Sequence, residues 1–554
     1  MLLWIACLLS VAADSPLKVL VHFDFGTMSH INPLLEVGNA LRARNHSVVY
    51  AAADHNEKYN KPFNFTFASL GTTLSSPDDG RSMMKELFKK RTRVNADIVF
   101  DVFPELISAS YEAVYPQLTK VVEAEKPDVI MCDFFSPGCR DVAIMQGIPL
   151  VTGFQSIDGF GNDRVSFVSA ALDYVPITTG SMSFFERLKD KVFVTLRAMY
   201  KVYPLTKAIN KKRDQFNVPR ASHPLGDFSS TLALANTFIG FEAAAPVGTN
   251  IRMIGPIRVK SAFTLTPDLL SFLDAHPRTI YIAFGTKVVL ADFDIDNLLK
   301  GTLAALDAGV IDGVVWGLSS TTQEEFPKEI SLNNTLISTQ ELFNNQHPDI
   351  RLLAWAPQDA ILNHKNTRLF LSHGGLESAF EAIFSGTPIL CMPFFSDQPR
   401  NARKLEDAGI SQYVDRIAAT PASVTRQITE MLEDVDGSIS NNVRRMQVLA
   451  QIGSRRKELG ADAIEEYVYT ARICRPSQKH RYGEIPCEAK HLVPADRDMS
   501  YITSSLMDVY FFAGILFALA VSPRDIFPFQ IYHLFIQPIE RHHPQAENAI
   551  ASFQ

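Results

Sequence analysis

Short apolar runs alternate with amphipathic helical patterns along most of this chain. Residues 17–23 form an apolar run, apolar positions then recur at helical spacing up to residue 44, and a second apolar run covers residues 46–51. The alternation restarts at residues 278–286 and continues through residues 314–316. Strands that alternate with helices are typical of parallel sheets with helices on their faces. The pattern therefore predicts an α/β protein with two doubly wound domains that face a cleft.

The most informative stretch runs from residue 355 to residue 398. An apolar strand pattern at residues 368–371 ends in Ser-His-Gly-Gly, and a helical pattern follows at residues 376–384. A Gly-Thr-Pro turn then leads into a second apolar run at residues 389–392. Paired glycines let backbone amides approach a ligand, and the positive end of the new helix points to the same place. The stretch therefore predicts a βαβ unit that carries a phosphate site.

A second glycine turn, at residues 26–30, follows the first strand and ends in His30. Ligands of open parallel sheets bind where strands reach their carboxyl ends. A further predicted strand, residues 126–133, ends in Asp133. Histidine suits general-base chemistry near neutral pH, and a carboxylate can hold its tautomer. The alternatives are a structural loop histidine and an aspartate that caps a helix.

Length and patterning together predict the order of the domains. A chain of 554 residues is too long for one hydrophobic core. A short apolar run at residues 1–13 is typical of a signal peptide, with an ordinary first strand as the alternative. We expect domains at residues 14–250 and 251–472, a linker at 473–498 and a tail at 522–554. The net charge of −7 argues against a nucleic-acid partner.

The C-terminal region and the cysteines bear on cellular location. Residues 499–521 are apolar enough for a helix of about 35 Å, which would span a hydrocarbon core of about 30 Å. A buried or interfacial helix is the alternative. Cys474 and Cys487 could form one disulfide in an oxidising compartment. The other cysteines outside the leader are predicted to be buried thiols, namely Cys132, Cys139 and Cys391. The spacing of the cysteines does not suggest a zinc site.

These motifs resemble the signature of the UDP-glycosyltransferases, the family that includes the eukaryotic UDP-glucuronosyltransferases. The likeness covers about residues 17–470 and includes His30, Pro33 and Asp133. It implies a GT-B type fold, in which two Rossmann-like domains bind the acceptor (N-terminal) and the UDP-sugar (C-terminal). The matching positions of the densest stretch are Trp355, Pro357, Gln358, Leu362, His364, His373, Gly375, Ser378, Glu381, Gly386, Pro388, Pro393, Asp397 and Gln398.

The resemblance also implies a role for each position. An aromatic ring would stack on uracil, a carboxylate and an amide would hold the base and ribose, and the helix N-terminus would bind the diphosphate. An Asp-Gln pair would bind the sugar hydroxyls. His30 would be the general base, and Asp133 would orient it. The implied donor-binding residues are Thr286, Trp355, Gln358, His373, Gly375, Ser378, Glu381, Asp397 and Gln398.

The implied activity is that of an inverting hexosyltransferase, which moves glucose or glucuronate from a UDP-sugar to a hydroxyl of a small lipophilic acceptor. The UDP-sugar is a co-substrate, and neither a metal nor another cofactor is expected. Residues 376–378 depart from the Ala-Asn-Gly of many glucuronosyl relatives, which favours glucose or another neutral hexose. The expected location is the endoplasmic reticulum membrane, with lumenal catalytic domains; secretion or another endomembrane is the alternative.

Two further readings compete with this one. A non-catalytic UDP-sugar-binding membrane protein would use the same donor motif. A dinucleotide oxidoreductase is excluded because the first turn lacks G-x-G-x-x-G. An Asp-x-Asp at residues 292–294 could hold a metal, as in another glycosyltransferase class, but acids at this point also suit the start of a helix.

Overall fold

The computed structural model describes residues 15–24, 28–72, 86–92, 104–157, 178–226, 228, 230–258, 263–332, 335–473, 489–493 and 499–521. The chain divides into two units, Met1–Val493 and Pro494–Gln554. Two parallel sheets lie in the first unit, and each is covered by helices.

Seven strands form the first sheet: β1 (Lys18–His22), β2 (Ser47–Ala52), β3 (Thr66–Ser69), β4 (Val129–Asp133), β5 (Leu150–Phe154), β6 (Leu232–Ala235) and β7 (Ile251–Met253). They pair in the order β3-β2-β1-β4-β5-β6-β7. All pairs are parallel, and Val19 of β1 lies between Val48 and Val129. The central strands are buried along almost their whole length because helices cover both faces.

The remaining strands are β8 (Thr279–Ala283), β9 (Gly313–Gly317), β10 (Glu329–Leu332), β11 (Thr335–Ser338), β12 (Ile350–Leu353), β13 (Thr367–Ser372), β14 (Ile389–Cys391) and β15 (Ser411–Tyr413). Six of them form the second parallel sheet, in the order β12-β9-β8-β13-β14-β15. Strands β10 and β11 form an antiparallel pair. The predicted alternation of strands and helices is therefore confirmed in both halves.

The α-helices of the first half are α1 (Met28–Ala43), α2 (Pro104–Glu125), α3 (Pro137–Gln146), α4 (Phe184–Leu188) and α5 (Thr195–Gln215). Those of the second half are α6 (Pro267–Ala275), α7 (Asp292–Asp307), α8 (Ser320–Glu324), α9 (Thr339–Phe343), α10 (Gln358–Leu362), α11 (Leu376–Ser385), α12 (Gln398–Asp407), α13 (Pro421–Glu433), α14 (Ser438–Gly453) and α15 (Lys457–Ile473). Two short helices, α16 (Tyr501–Ser504) and α17 (Met507–Val521), follow in the second unit.

The starts of several helices follow from local side-chain chemistry. Thr266 accepts a hydrogen bond from the Leu269 amide at 3.3 Å, and proline occupies the first position of α6. Thr420 caps α13 in the same way, again with proline next. A threonine acceptor satisfies a free amide, and proline lacks the amide that would need a partner. The Asp-x-Asp at residues 292–294 begins α7, as its sequence favoured.

Helix α15 follows the second sheet in sequence but packs on the first. Its residues Ile464, Tyr467 and Val468 share a hydrophobic core with Val19 and Leu35. The last helix of the first unit therefore returns to the N-terminal domain. The first sheet also extends through β7, just beyond the boundary predicted at residue 250, and the predicted domain limits stay predictions.

Cys132 and Cys139 form a disulfide, which corrects the prediction of two thiols. Their Cα atoms are 6.0 Å apart because the turn from β4 into α3 folds back on the end of the strand. Cys391 is a buried free cysteine, as predicted. The predicted pair of Cys474 and Cys487 lies outside the described residues.

The predicted spanning helix at residues 499–521 is not a single helix. The chain turns at residues 505–506, and the remaining helix α17 has 15 residues, a length of about 22 Å. No helix in the part of the chain that the structure describes is long and apolar enough to cross a membrane. Residues 499–521 are long enough to span a bilayer only as one continuous helix, and the turn at residues 505–506 interrupts that helix. The predicted signal peptide and tail lie outside the described residues.

Candidate active site

The start of α11 offers free backbone amides at the carboxyl edge of the second sheet. Gly374 has φ +78°, and a Cβ atom there would lie 2.6 Å from the Cys391 sulfur. Gly375 precedes the helix, and a Cβ atom there would lie 2.4 Å from Nε2 of His373. Only glycine fits both positions, because real Cβ atoms do not approach other atoms so closely. The helix therefore begins with amides that have no partner within the helix and with its positive dipole end, as an anion site requires.

His373 lies beneath this turn. Burial lowers its pKa to about 4, so the imidazole is neutral at physiological pH. Its Nδ1 atom is buried and has no hydrogen-bond partner. Gly285, in the turn after β8, approaches His373 closely, which brings the exposed Thr286 to the same edge. The turns after β8 and β13 thus meet, although 87 positions separate Thr286 and His373 in sequence (373 − 286).

A polar network joins α10 to α11. The Gln358 amide nitrogen donates to Ser378 Oγ at 3.1 Å and to a carboxylate oxygen of Glu381. Its carbonyl oxygen accepts from the Tyr281 hydroxyl at 3.3 Å. Burial, followed by the charge of nearby Glu377, raises the pKa of Glu381 to about 8. The three predicted donor-binding side chains therefore form one cluster that can hold several hydroxyl groups.

Trp355 lies in the bend before α10, three residues before Gln358. Its side chain is 59% exposed, which is unusual for tryptophan. The ring makes an edge contact with Phe263, with 4.4 Å between the centroids. A large exposed ring next to a polar cluster can stack on a planar base.

Asp397 and Gln398 lie at the start of α12, beyond β14. Gln398 is buried, and its carbonyl oxygen accepts from the Phe394 and Phe395 amides at 2.9 and 3.2 Å. Asp397 accepts from Asn401 at 2.7 Å, and burial raises the pKa of its carboxyl group although this hydrogen bond acts against the rise. The glutamine thus shapes the turn through its side-chain carbonyl group, and the aspartate carboxyl lies partly buried beside it.

His30 lies in the first turn of α1, rather than on the loop predicted before it. Its Nδ1 atom is 3.0 Å from Asp133 Oδ2, and the Asp133 side chain is fully buried at the end of β4. The other carboxylate oxygen accepts from the Phe135 amide at 3.0 Å. Asp133 therefore holds the histidine and the turn after β4 together. The residue before α3 is Ser136, so Asp133 does not cap that helix, and its role in orienting a general base stays a prediction.

The pKa of His30 is raised above its usual value. Burial opposes the charged form, but the charge and hydrogen bond of Asp133 outweigh it, with smaller contributions from Asp397 and Glu377. The last two residues belong to the second domain. His30 in α1 of the first domain and the acids Glu377 and Asp397 of the second domain therefore lie within electrostatic reach of one another.

Polar residues that the sequence analysis did not single out line the crevice between α1 and α11: Ser29, Asn32, Gln155, Asn236, Arg258 and Glu377. Asn32 is buried beside Glu377. Burial raises the pKa of Glu377, and a hydrogen bond from the Asn32 side chain acts against that rise. The i, i+3, i+4 spacing of Ser29, Asn32 and Pro33 placed them on one helix face and could have indicated the crevice. The acid at the second position of α11 was also a signal, because it adds charge beside an anion site.

Comparison with known proteins agrees with this geometry. The family model for UDP-glucoronosyl and UDP-glucosyl transferase matches residues 18–451. A UDP-glycosyltransferase of Talaromyces amestolkiae is 28% identical over 91% of this chain and 96% of its own. UDP-glycosyltransferase 1 of Phaeomoniella chlamydospora is 30% identical, over 73% of this chain and 81% of its own.

Solved structures share the fold. The structure of Phytolacca americana UGT2 complexed with UDP-2fluoro-glucose and pterostilbene is 16% identical and has a TM-score of 0.55. It covers 81% of this chain and 99% of its own. The predicted GT-B type architecture of two Rossmann-like domains is thereby confirmed. The chain belongs to the UDP-glucoronosyl and UDP-glucosyl transferase family and is a UDP-sugar-dependent glycosyltransferase.

Proposed function

We propose that this enzyme transfers a hexosyl group from its UDP-sugar to the hydroxyl of a small lipophilic acceptor, with inversion at the sugar carbon. The 3.0 Å contact between His30 and Asp133 carries this proposal. An alcohol is a poor nucleophile at neutral pH, and a positioned base adds about 10²–10⁴ to the rate. Nδ1 faces Asp133, which leaves Nε2 as the atom that can take the acceptor proton.

The donor binds along the edge of the second sheet in this proposal. Trp355 stacks on the uracil, and Gln358 and Glu381 accept hydrogen bonds from the ribose hydroxyls. The diphosphate lies on the α11 amides beside His373, Ser378 and Thr286, and the Asp397–Gln398 turn holds the sugar. The leaving UDP is stabilised by the amides and the helix dipole. No step requires a metal or a further cofactor.

The support for the acceptor class comes from a structural relative. The Phytolacca americana enzyme was solved with pterostilbene, a small lipophilic phenol, together with UDP-2fluoro-glucose. The departure of residues 376–378 from Ala-Asn-Gly favours a neutral hexose over glucuronate. The charge of Arg258 acts against the rise in the pKa of Glu381, but Arg258 itself pairs with Asp359 at 3.1 Å. We therefore propose glucose before glucuronate.

A lumenal location is also proposed, and the buried disulfide between Cys132 and Cys139 supports it. Disulfides persist in oxidising compartments and are rare in the cytosol. Asn45 and Asn64, each in an N-glycosylation sequon, are both exposed and lie outside the helices and strands. Sensitivity of the expressed protein to an endoglycosidase would test this location.

The test of the activity uses a donor panel of UDP-glucose, UDP-glucuronate and UDP-N-acetylglucosamine, with small phenols as acceptors. We expect UDP release and a β-linked product with UDP-glucose. His30→Ala should abolish transfer and leave the UDP dissociation constant within about twofold of wild type. His46→Ala is the matched control, because His46 precedes β2 at the amino edge of the first sheet, where it pairs with Glu465 of α15. Full transfer by the His30 variant would overturn the proposed mechanism.

A further inference from the structure

A short segment of the N-terminal domain packs into the core of the donor domain. Residues 86–92 lie between β3 and α2 in sequence, both of which belong to the first half of the chain. Phe88 of this segment is 0% exposed and shares a hydrophobic core with residues of the second sheet. Its ring is 5.4 Å from the rings of both Phe394 and Phe395, measured between centroids. The N-terminal half therefore contributes a core side chain to the other domain.

Two arginine contacts hold this segment in place. Arg416 donates to the Phe88 carbonyl oxygen at 2.5 Å and pairs with the buried Asp294 at 2.8 Å. Arg91 donates through two nitrogens to the Ile417 carbonyl oxygen, at 3.2 and 3.0 Å. Hydrogen bonds from charged groups are stronger than neutral ones, and the Arg416 pair is almost free of solvent competition. The segment is thus fixed by its backbone as well as by its aromatic ring.

The rings that Phe88 contacts belong to the turn that precedes Asp397. The amides of Phe394 and Phe395 both donate to the Gln398 carbonyl oxygen. Ser396, between them and Asp397, has φ +59°, a conformation that needs support from its surroundings. A ring packed under two of the four residues before Gln398 supplies such support. Removing it would free the turn to move.

We propose that Phe88 is a positioning residue for the donor sugar, through which the N-terminal domain sets the turn that carries Asp397 and Gln398. The inference rests on the sugar-binding role proposed for that turn. The residues proposed to hold the uracil and the ribose lie just before α10 and on α10 and α11, whereas the ring–ring contacts of Phe88 are with Phe394 and Phe395. Loss of the ring should therefore weaken recognition of the sugar and spare recognition of UDP.

The test compares the dissociation constants of UDP and UDP-glucose by calorimetry in Phe88→Ala. We expect UDP binding within about twofold of wild type and UDP-glucose binding weakened by about tenfold, a difference of about 1.4 kcal/mol. A displacement near 1 Å at the sugar should also lower kcat by up to about 10²-fold. Equal weakening of both ligands, or of neither, would overturn the proposal.

A matched control separates positioning from general stability. Phe326 lies in the same hydrophobic core, but its ring contacts Trp316 and Phe343 rather than the turn. Phe326→Ala should lower the melting temperature as Phe88→Ala does and leave the ratio of the two dissociation constants unchanged. A changed ratio in the control would overturn the specific role of Phe88. If Phe88→Ala does not fold, Phe88→Leu and Arg91→Ala replace it. Each should weaken UDP-glucose binding relative to UDP binding, by less than tenfold.

Asp397→Ala distinguishes this inference from the proposed function. It should change the ratio of UDP-glucose to UDP affinity by at least as much as Phe88→Ala. If Asp397→Ala leaves the ratio unchanged, the turn is not the sugar site and the proposed function fails there. If Asp397→Ala changes the ratio and Phe88→Ala does not, only the positioning role of Phe88 is refuted.

Discussion

The buried carboxylate of Asp133 should control the reactivity of His30, and Asp133→Asn tests this control. The substitution keeps the size of the side chain and removes its charge. The His30 Nδ1 and Asp133 Oδ2 atoms are 3.0 Å apart, and Asp133 is fully buried. At an effective dielectric constant of about 20, two unit charges at this distance attract by about 5.5 kcal/mol. Burial of the imidazolium offsets part of that attraction.

The catalytic cost should be close to the whole contribution of the general base. Asparagine can donate to Nδ1 and so favours the tautomer whose Nε2 atom carries the proton and cannot accept another. Base catalysis contributes about 10²–10⁴ to the rate, which corresponds to about 3–5 kcal/mol of barrier. We therefore expect kcat to fall by about 10²–10⁴ and the UDP dissociation constant to stay near that of wild type.

The pH–rate profile of kcat is the decisive assay. His30 acts as a base only when neutral, and its pKa is raised, so wild-type activity should fall as the pH drops through that raised pKa. Without the Asp133 charge, burial lowers the pKa of His30, while Asp397 and Glu377 still raise it. The acid limb of the residual activity should therefore move to lower pH.

Asp128→Asn is the control, because Asp128 precedes the same strand and pairs with Arg472 on the surface. It should leave both kcat and the acid limb unchanged. If Asp133→Asn retains kcat within about threefold of wild type with an unmoved acid limb, the role given to this pair is wrong.

Three further predictions concern the donor site and the disulfide. Gly375→Ala places a Cβ atom 2.4 Å from His373 Nε2, so the UDP dissociation constant should rise about tenfold. An unchanged dissociation constant, measured by calorimetry, would contradict a close approach of UDP to this backbone. Glu381 has a pKa of about 8, so UDP affinity should increase as the pH rises through 8, because ionised carboxylate accepts the ribose hydroxyls. Glu381→Gln should abolish this pH dependence and weaken the binding free energy of UDP by about 1.5–3 kcal/mol. If the pH dependence persists in this variant, it arises from a group other than Glu381. The disulfide joins residues 7 positions apart, and its reduction should lower the free energy of unfolding in urea by about 2.5 kcal/mol. In the control Cys391→Ser, which keeps the disulfide, a reductant should lower the stability by the same amount.

Much of the fold was predictable because each βα step is local. The apolar run, the turn and the helix lie within about thirty residues, so periodicity in sequence maps directly onto one unit of the sheet. The α11 site is predictable for the same reason: strand, glycines and helix are contiguous from Thr367 to Ser385. The C-terminal helix failed as a prediction because hydropathy does not register a turn inside an apolar stretch, here at residues 505–506.

Contacts between distant segments could not be predicted in the same way. The free thiols expected at Cys132 and Cys139 are a disulfide because the chain reverses between them, and their spacing matches no recognised motif. The return of α15 to the first sheet and the insertion of Phe88 into the second domain also have no local signal. An apolar helix or ring must be buried, but its own sequence does not state which core buries it.

The sequence by itself determined the two alternating halves, the glycine turn before α11 and the types of side chain that we propose hold a UDP-sugar. Backbone conformation and the start of a helix depend mainly on residues that are close in sequence, so the sequence pattern can predict them. Only the tertiary structure decided that His30 and Asp133 are 3.0 Å apart and that Asp397 and Glu377 influence the same imidazole. Their separation in sequence is large, and pKa values depend on distance and burial, which only the packed chain defines.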